Sequence, residues 1–403
     1  MKINLERIMK KEKRFSTLQD IFLFFCKKVS CHKVLIPAVF QFTGVSLLPV
    51  LTLTSVLSML VCDAVAADQV VVIPLGGTVG NATAADVVKG KTFSSKAAGK
   101  GATGILAQHP MGQRYTNSIG MTFNLLPAGT FTMGSPPAEP GRISNETQHQ
   151  VTLTQSFYMQ TTEVTNKQWN TVIFDSGLGA KPSTSHIGDN YPVETVNWFE
   201  AAYFANRLSV VEGRSQCYTL VGCNANVPGA DMECASVAIS DTCTGYRLPT
   251  GAQWEYAARA TTTTAYANPV SFDSTNTETG SAFNTNLHAM GWYSYNNAMS
   301  NSSAITAYGS GTKPVAAKQA NYWGLYDMHG NVWEWCRDWW DGSAYSSEPV
   351  TDPSGDVTGS YRVARGGSWN YGAWYARSAY RDRSTPGDRY VILGFRLVLP
   401  PGQ

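Results

Sequence analysis

The chain is poor in charge. Only 15% of its 403 residues are Asp, Glu, Lys or Arg, against 43% hydrophobic. That ratio excludes a wholly disordered polyelectrolyte and leaves enough apolar side chains for a large core. Basic residues are missing where a nucleic-acid footprint would need them. Nine Lys/Arg and three Asp/Glu stand in residues 1–33, and everything beyond residue 66 carries a net charge of −3. A weakly acidic body does not attract a phosphate backbone, so nucleic acid is not expected as a partner. Histidines number six. The contexts of His109, His149, His186, His288 and His329 form no H-x-x-x-E-H-type cluster, so each reads as a loop or structural residue. No Cys-x-x-Cys pair occurs. A long charge-free apolar run occurs once, at residues 34–62.

That run follows Lys10, Lys11, Lys13, Arg14, Lys27, Lys28 and Lys33, and Ala64-Val65-Ala66 follows it. Lysines before an apolar stretch hold that end in the cytoplasm, and small-x-small is a cleavage pattern. Residues 1–66 are therefore expected to be a secretory signal cleaved after Ala66, or else an uncleaved membrane anchor. Either implies export to the periplasm, cell surface or medium, with membrane contact only through this segment. Residues 67–113 are rich in Gly, Ala, Thr and Val and read as a stalk or small β segment. The main domain is expected over 114–400.

What the body does contain is glycine and aromatic side chains: Gly 36, Trp 11 and Tyr 19 in the whole chain. Three helix starts are legible. Thr165 with Gln168 and Thr250 with Gln253 fit the capping box, and Asn197 with Glu200 is the Asn-capped analogue. Behind Asn197, the residues Trp198, Ala201, Ala202, Ala205 and Leu208 share one helical face. Gln150–Thr154 and Phe157–Gln160 read as short alternating strands. The expected class is α+β, with short helices, short strands and much loop. Cys217, Cys223, Cys234 and Cys243 lie close together in a Gly/Asn/Asp-rich stretch. In an exported chain they are expected to form two disulfides whose pairing the spacing leaves open; zinc is the rival, without a Cys-x-x-Cys pair or nearby His to favour it.

Ordered motifs then accumulate. They are Phe123–Met133 with Gly134-Ser135, Glu163-Val164-Thr165-Asn166, Pro192–Trp198, Tyr246-Arg247-Leu248-Pro249-Thr250 with Gln253-Trp254-Glu255-Tyr256-Ala257, Trp323–Met328, Gly330-Asn331-Val332-Trp333-Glu334-Trp335, Arg365-Gly366-Gly367-Ser368-Trp369 and Gly394-Phe395-Arg396. Over residues 114–400 the chain resembles the formylglycine-generating enzyme (sulfatase-modifying factor) family. The resemblance implies an irregular variant of the C-type lectin fold. It also implies a calcium site: by residue-to-residue match, Asp327 and Glu334 through carboxylates, Gly330 and Val332 through carbonyls, a hard-oxygen set suited to Ca²⁺. The family's sulfatase-activating members hold Cu(I) on two cysteines just after the Gly-Gly-Ser motif. Here those positions are Tyr371 and Ala376, which offer no soft thiolate, so copper is not expected. Beyond Ala66, Cys336 is the one cysteine outside the cluster.

The stretch from Trp369 to Ile392 also resembles the variable region of retroelement-diversified proteins, which use the same lectin-like fold. Its mixture of Tyr, Trp, Ser, Gly, Asn and Asp is that of a paratope: rigid aromatic anchors among adaptable polar groups. Asn370, Tyr371, Trp374, Tyr375, Tyr380, Asp382, Asp388 and Tyr390 are the expected ligand-binding residues, with Trp369 and Phe395 in the core. Two functions stay open: an exported binding protein whose carboxy-terminal face grips a protein or glycan, or a metal-dependent oxidoreductase acting on a cysteine or sulfur substrate.

Overall fold

The computed structural model describes residues 113–267, 284–298, 310–342, 345–356 and 358–401, with four short strands nearer the amino terminus. The chain divides into two units, Met1–Gln108 and His109–Gln403. In the first, Cys31–Leu35 pairs antiparallel with Ser58–Cys62, and Phe93–Ser95 with Ala102–Gly104. The remainder of the expected signal or anchor, the rest of the stalk, and His109 lie outside the described residues. No helix among the described residues is long and apolar enough to cross a membrane.

The second unit is a set of small sheets threaded by loops. One sheet runs in the order Val398–Leu399, Phe157–Gln160, Thr122–Leu126, Arg114–Thr116, all antiparallel. A second joins Gly129–Met133 to His149–Leu153, with Val350–Thr351 added in parallel. A third carries Asp382–Ser384, Arg362–Arg365, Trp333–Trp339 and, in parallel, Leu393–Gly394. The α+β lectin-like reading therefore holds. The strand at Phe157–Gln160 departs from the alternation expected of it: all four residues are buried. It lies between two apolar clusters, with Tyr158 facing one and Phe157 and Met159 facing the other, so neither face of the strand meets water.

All three legible caps form. Thr165 and Thr250 each accept from the backbone N–H three residues on, and Gln168 and Gln253 reach back to the cap nitrogens. Asn197 starts the longest helix among the described residues, Trp198–Val211, by accepting from Glu200 N at 2.9 Å while Glu200 accepts from Asn197 N at 3.0 Å. Such caps satisfy backbone donors that have no partner in the first turn. The predicted face of this helix is fully buried, and the alanines at 201, 202 and 205 let it approach closely. Phe204 stacks on Trp169 with centroids 5.5 Å apart and planes 8° from parallel.

Tyr218–Cys223 and Cys234–Ile239 form an antiparallel hairpin. Both expected disulfides are present, and they are nested: Cys217–Cys243 encloses Cys223–Cys234. The outer bond spans 26 residues of separation, and closing a loop of that size lowers unfolded-chain entropy by about 3 kcal/mol equivalent. Replacing Cys217 and Cys243 together by Ser is therefore expected to lower unfolding free energy by about 3 kcal/mol, read from urea titration of both forms. An unchanged midpoint would refute this.

Candidate functional site

The predicted binding residues occupy one continuous stretch that leaves the third sheet and returns to it. Arg362–Arg365 leads into Gly366 and Gly367, both with positive φ, at +96° and +73°. A Cβ on Gly367 would sit 3.0 Å from the backbone of Ala376, so only glycine lets the two segments pass this closely. The chain then makes a 3₁₀ turn at Ala373–Ala376 and pairs back as the edge strand Asp382–Ser384.

The structure sorts the predicted residues into three kinds. Asn370 and Tyr390 are exposed, Tyr390 by 49%. Tyr371, Tyr375 and Tyr380 are half-buried and pack edge-on against one another at 5.0 Å spacings, with Trp333 beneath them at 5.6 Å from Tyr371 and 6.0 Å from Tyr380. Edge-to-face packing fixes these rings, so their outer edges are presented at little further cost in entropy. Trp374 is held differently. A Cβ on Gly141 would lie 2.6 Å from its indole, so the ring is roofed by the Gly141 turn. Asp388 accepts from Thr385 N at 2.7 Å and shapes a turn. Trp369, expected in the core, is instead half-buried, its indole N–H donating to Val391 O at 3.3 Å; it flanks the face. Phe395 is fully buried as expected.

Beneath the face lies a guanidinium clamp that spacing does not reveal. Arg377 is 1% exposed and donates to Glu139 at 2.7 Å, to both oxygens of Glu146 at 2.7 and 2.8 Å, to Gly141 O at 2.6 Å and to Trp374 O at 3.1 Å. Four of these charge-assisted bonds tie the 139–146 loop to Arg377, and the fifth holds Trp374. Arg365 likewise donates to Glu255 at 3.0 Å and to the carbonyls of Ser378, Ala379 and Tyr380.

The two positions where the family's copper cysteines would stand are filled by a ring in the tyrosine cluster, Tyr371, and by buried Ala376. Cys336 is fully buried in the apolar cluster around Trp254 and Met328, and burial pushes its thiol well above the usual range. The other four cysteines between residues 113 and 401 are in disulfides. Within that span no second free thiol stands beside Cys336.

Of the residues expected to hold calcium, Asp327 and Glu334 lie close enough for the charge of Glu334 to act on Asp327. Glu334 accepts from Arg396 through both oxygens, at 2.6 and 2.7 Å, and from the Trp254 indole at 2.8 Å. Asp327, at φ +57°, accepts from Ala316 N through one oxygen; its other oxygen is buried without a hydrogen bond. Glu163, which sequence reasoning did not single out for this role, is fully buried with both oxygens unbonded. Burial, reinforced by the charges of Asp327 and Glu334, raises the Glu163 carboxyl, and burial reinforced by the charge of Glu334 raises that of Asp327. Unbonded buried carboxylate oxygens call for a proton or a cation. The donor chemistry fits a hard cation held chiefly by Asp327 and Glu163, and Glu163 was legible only as part of the Glu-Val-Thr-Asn motif. Among the described residues no three His, Cys, Asp or Glu side chains converge as a metal cluster.

This architecture has known counterparts. Residues 110–400 match the family described as Sulfatase-modifying factor enzyme 1-like domain. The chain belongs to that family. It is 34% identical over 222 residues to "Chaperone protein LppX" of Paenibacillus barcinonensis, covering 53% of this chain and 69% of that one. It is 30% identical to the formylglycine-generating enzyme of Streptomyces coelicolor, covering 67% and 87%. Among solved structures, Treponema denticola variable protein 1 superimposes with a TM-score of 0.56 at 31% identity, covering 72% of this chain and 99% of that one.

One residue of the face lowers stability. Burial beside the tyrosines raises the Asp382 carboxyl, outweighing the hydrogen bond from Arg383 N and the Arg383 charge. A carboxyl raised in the folded state makes folding less favourable as pH climbs from about 3.9, where the unfolded carboxyl ionises, up to its folded value, and has no such effect at lower pH, where both states are protonated. Asp382→Asn is expected to be more stable than the native chain at pH 7, with the advantage shrinking towards pH 4. Denaturant titration at the two pH values checks this; an advantage that grows on acidification would contradict it.

Proposed function

We propose that this is an exported binding protein that uses a sulfatase-modifying-factor scaffold to present the Asn370–Tyr390 face to a macromolecular ligand. The observation that carries the reading is the tyrosine cluster itself. Half-exposed rings are locked edge to face over a buried charged clamp, and one of them, Tyr371, stands where an oxidase of the family would place a thiol. Preorganised aromatic edges with nearby Asn and Asp give contact area without ordering cost. Likeness to a variable protein supports the reading, as do the disulfides, which persist in oxidising compartments. In this reading the amino-terminal segment serves export.

Calcium has a structural part. Asp327 and Glu163, with the Gly330 and Val332 carbonyls and Glu334 nearby, would hold the ion, which would neutralise buried charge and fasten the loop entering the Trp333–Trp339 strand. A second reading, a metal-dependent oxidoreductase of the same family, is favoured by the 30% identity to a formylglycine-generating enzyme. Copper content and oxygen uptake on a cysteine peptide separate the two.

Two outcomes are expected. Calcium should raise the melting temperature of chelator-treated protein by several degrees, and Glu163→Gln with Asp327→Asn should abolish that response; identical melting with calcium and chelator would remove the ion from the account. Tyr390→Ala and Tyr375→Ala should each weaken ligand capture at least tenfold, as anchors at a binding surface do, while near-ultraviolet circular dichroism stays native. Undiminished capture would count against the face.

A further inference from the structure

A cavity of about 290 Å³ lies between the second and third sheets, and no residue proposed for the tyrosine face lines it. Its apolar wall is Met133 and Val350 of the second sheet, Val363 of the third, and Ala252 in the first turn of the helix Gly251–Arg259. Ligand pockets start at about 300 Å³, so this one suits a small molecule rather than a length of polymer.

The polar atoms lining it are mainly acceptors. Asp338 is buried and accepts from Gly251 N at 2.5 Å. A carboxylate has about four lone-pair sites, so acceptor capacity is left over. His149 is buried too, with Nδ1 3.1 Å from Thr147 O. A carbonyl only accepts, so Nδ1 carries the proton and Nε2 is left as an acceptor. Asp341 and Asp356 line the cavity and are exposed. Arg381 is the cation of the lining, and it is engaged: it donates to Asn145 O at 2.8 Å and to Tyr345, whose ring lies 3.8 Å from the guanidinium. Arg247, Arg259, Arg337, Arg362, Arg365 and Arg383 stand around the walls, and so do Asp241, Glu255, Glu348 and Asp352. The surrounding charge is therefore balanced, and selection rests on the atoms that meet the ligand rather than on a net field. All of those arginines except exposed Arg383 are bonded to carboxylates, carbonyls or Gln253. Burial raises the Asp338 carboxyl in spite of the Arg337 and Arg365 charges, so its ionised form lacks full compensation in the protein alone.

We propose that this cavity is a second binding site, for a small organic amine whose ammonium meets Asp338 and whose apolar body lies along Met133, Ala252, Val350 and Val363. His149 Nε2 and the two exposed aspartates supply further acceptors. An ammonium brings three donors and no acceptor, the complement of this lining, and its bonds to a carboxylate join two charges. An alcohol brings one donor to the same acceptors, and a carboxylate ligand would be set against three aspartates. The site does not depend on what the tyrosine face binds.

Benzylamine, benzyl alcohol and benzoate share a ring and differ in the polar end, so they serve as probes. The full chain is titrated with each by isothermal calorimetry at pH 7. Benzylamine is expected to bind, and the other two at least tenfold more weakly. Asp338→Asn keeps an acceptor for Gly251 N and removes the charge; it should weaken benzylamine at least tenfold, the scale of one lost charged hydrogen bond. Asp356→Asn, at an exposed position, should weaken it about threefold. Near-ultraviolet circular dichroism reports whether each variant is folded. Should Asp338→Asn fail to fold, the three probes and Asp356→Asn decide. Absence of benzylamine binding at millimolar concentration would overturn the proposal. So would equal binding of the three probes, or a benzylamine affinity that the folded variants leave unmoved.

Discussion

The fold depends on buried guanidinium–carboxylate pairs more than on its short sheets. Arg396 and Glu334 meet at 2.6 Å with neither side chain exposed, and Arg396 also donates to the carbonyls of Gln160 and Tyr326. One side chain thus joins the final strand segment, the Phe157–Gln160 strand, the Asp327 loop and the Trp333–Trp339 strand. Removing either partner of such a pair leaves an uncompensated charge in the core, at a cost of about 3–5 kcal/mol. Arg365 with Glu255 and Arg377 with Glu146 repeat the arrangement closer to the binding face. With so few residues in regular ladders, these pairs take over the positioning that long strands supply elsewhere. They also explain how a surface stretch full of loops holds its tyrosines in fixed orientation.

Much of this was legible in the sequence where the signal is local. Thr165, Asn197 and Thr250 each announce a helix because a cap and its reciprocal partner lie three residues apart. The buried face of Trp198–Val211 follows from helical periodicity, and four cysteines within a short loop predict two disulfides. The aromatic face was legible as composition, since Tyr371, Tyr375, Tyr380 and Tyr390 alternate with scaffold residues.

What remained hidden is set by contacts between residues far apart in the chain. Nothing near Arg377 says that its partners are Glu139 and Glu146, and nothing near Glu163 says that it turns inward beside Asp327. Trp369 was placed in the core because large aromatics usually bury. In the fold, the two glycines before it with positive φ turn the chain outward, leaving the ring half in water. Trp374 is half-buried, with the Gly141 turn against its indole. Which loop passes beside either ring depends on the fold, and single-chain spacing carries no record of that.

The nested crosslinks have a consequence for survival under proteolysis. Residues 224–233 are bracketed twice over, first by Cys223 with Cys234 and then by Cys217 with Cys243. A protease that severs one peptide bond within this exposed tip releases nothing, because both ends stay covalently attached on either side of the wound. The chain would keep its mass, and much of its shape, until the bonds were chemically reduced. Damage within this tip is thereby confined to a nick.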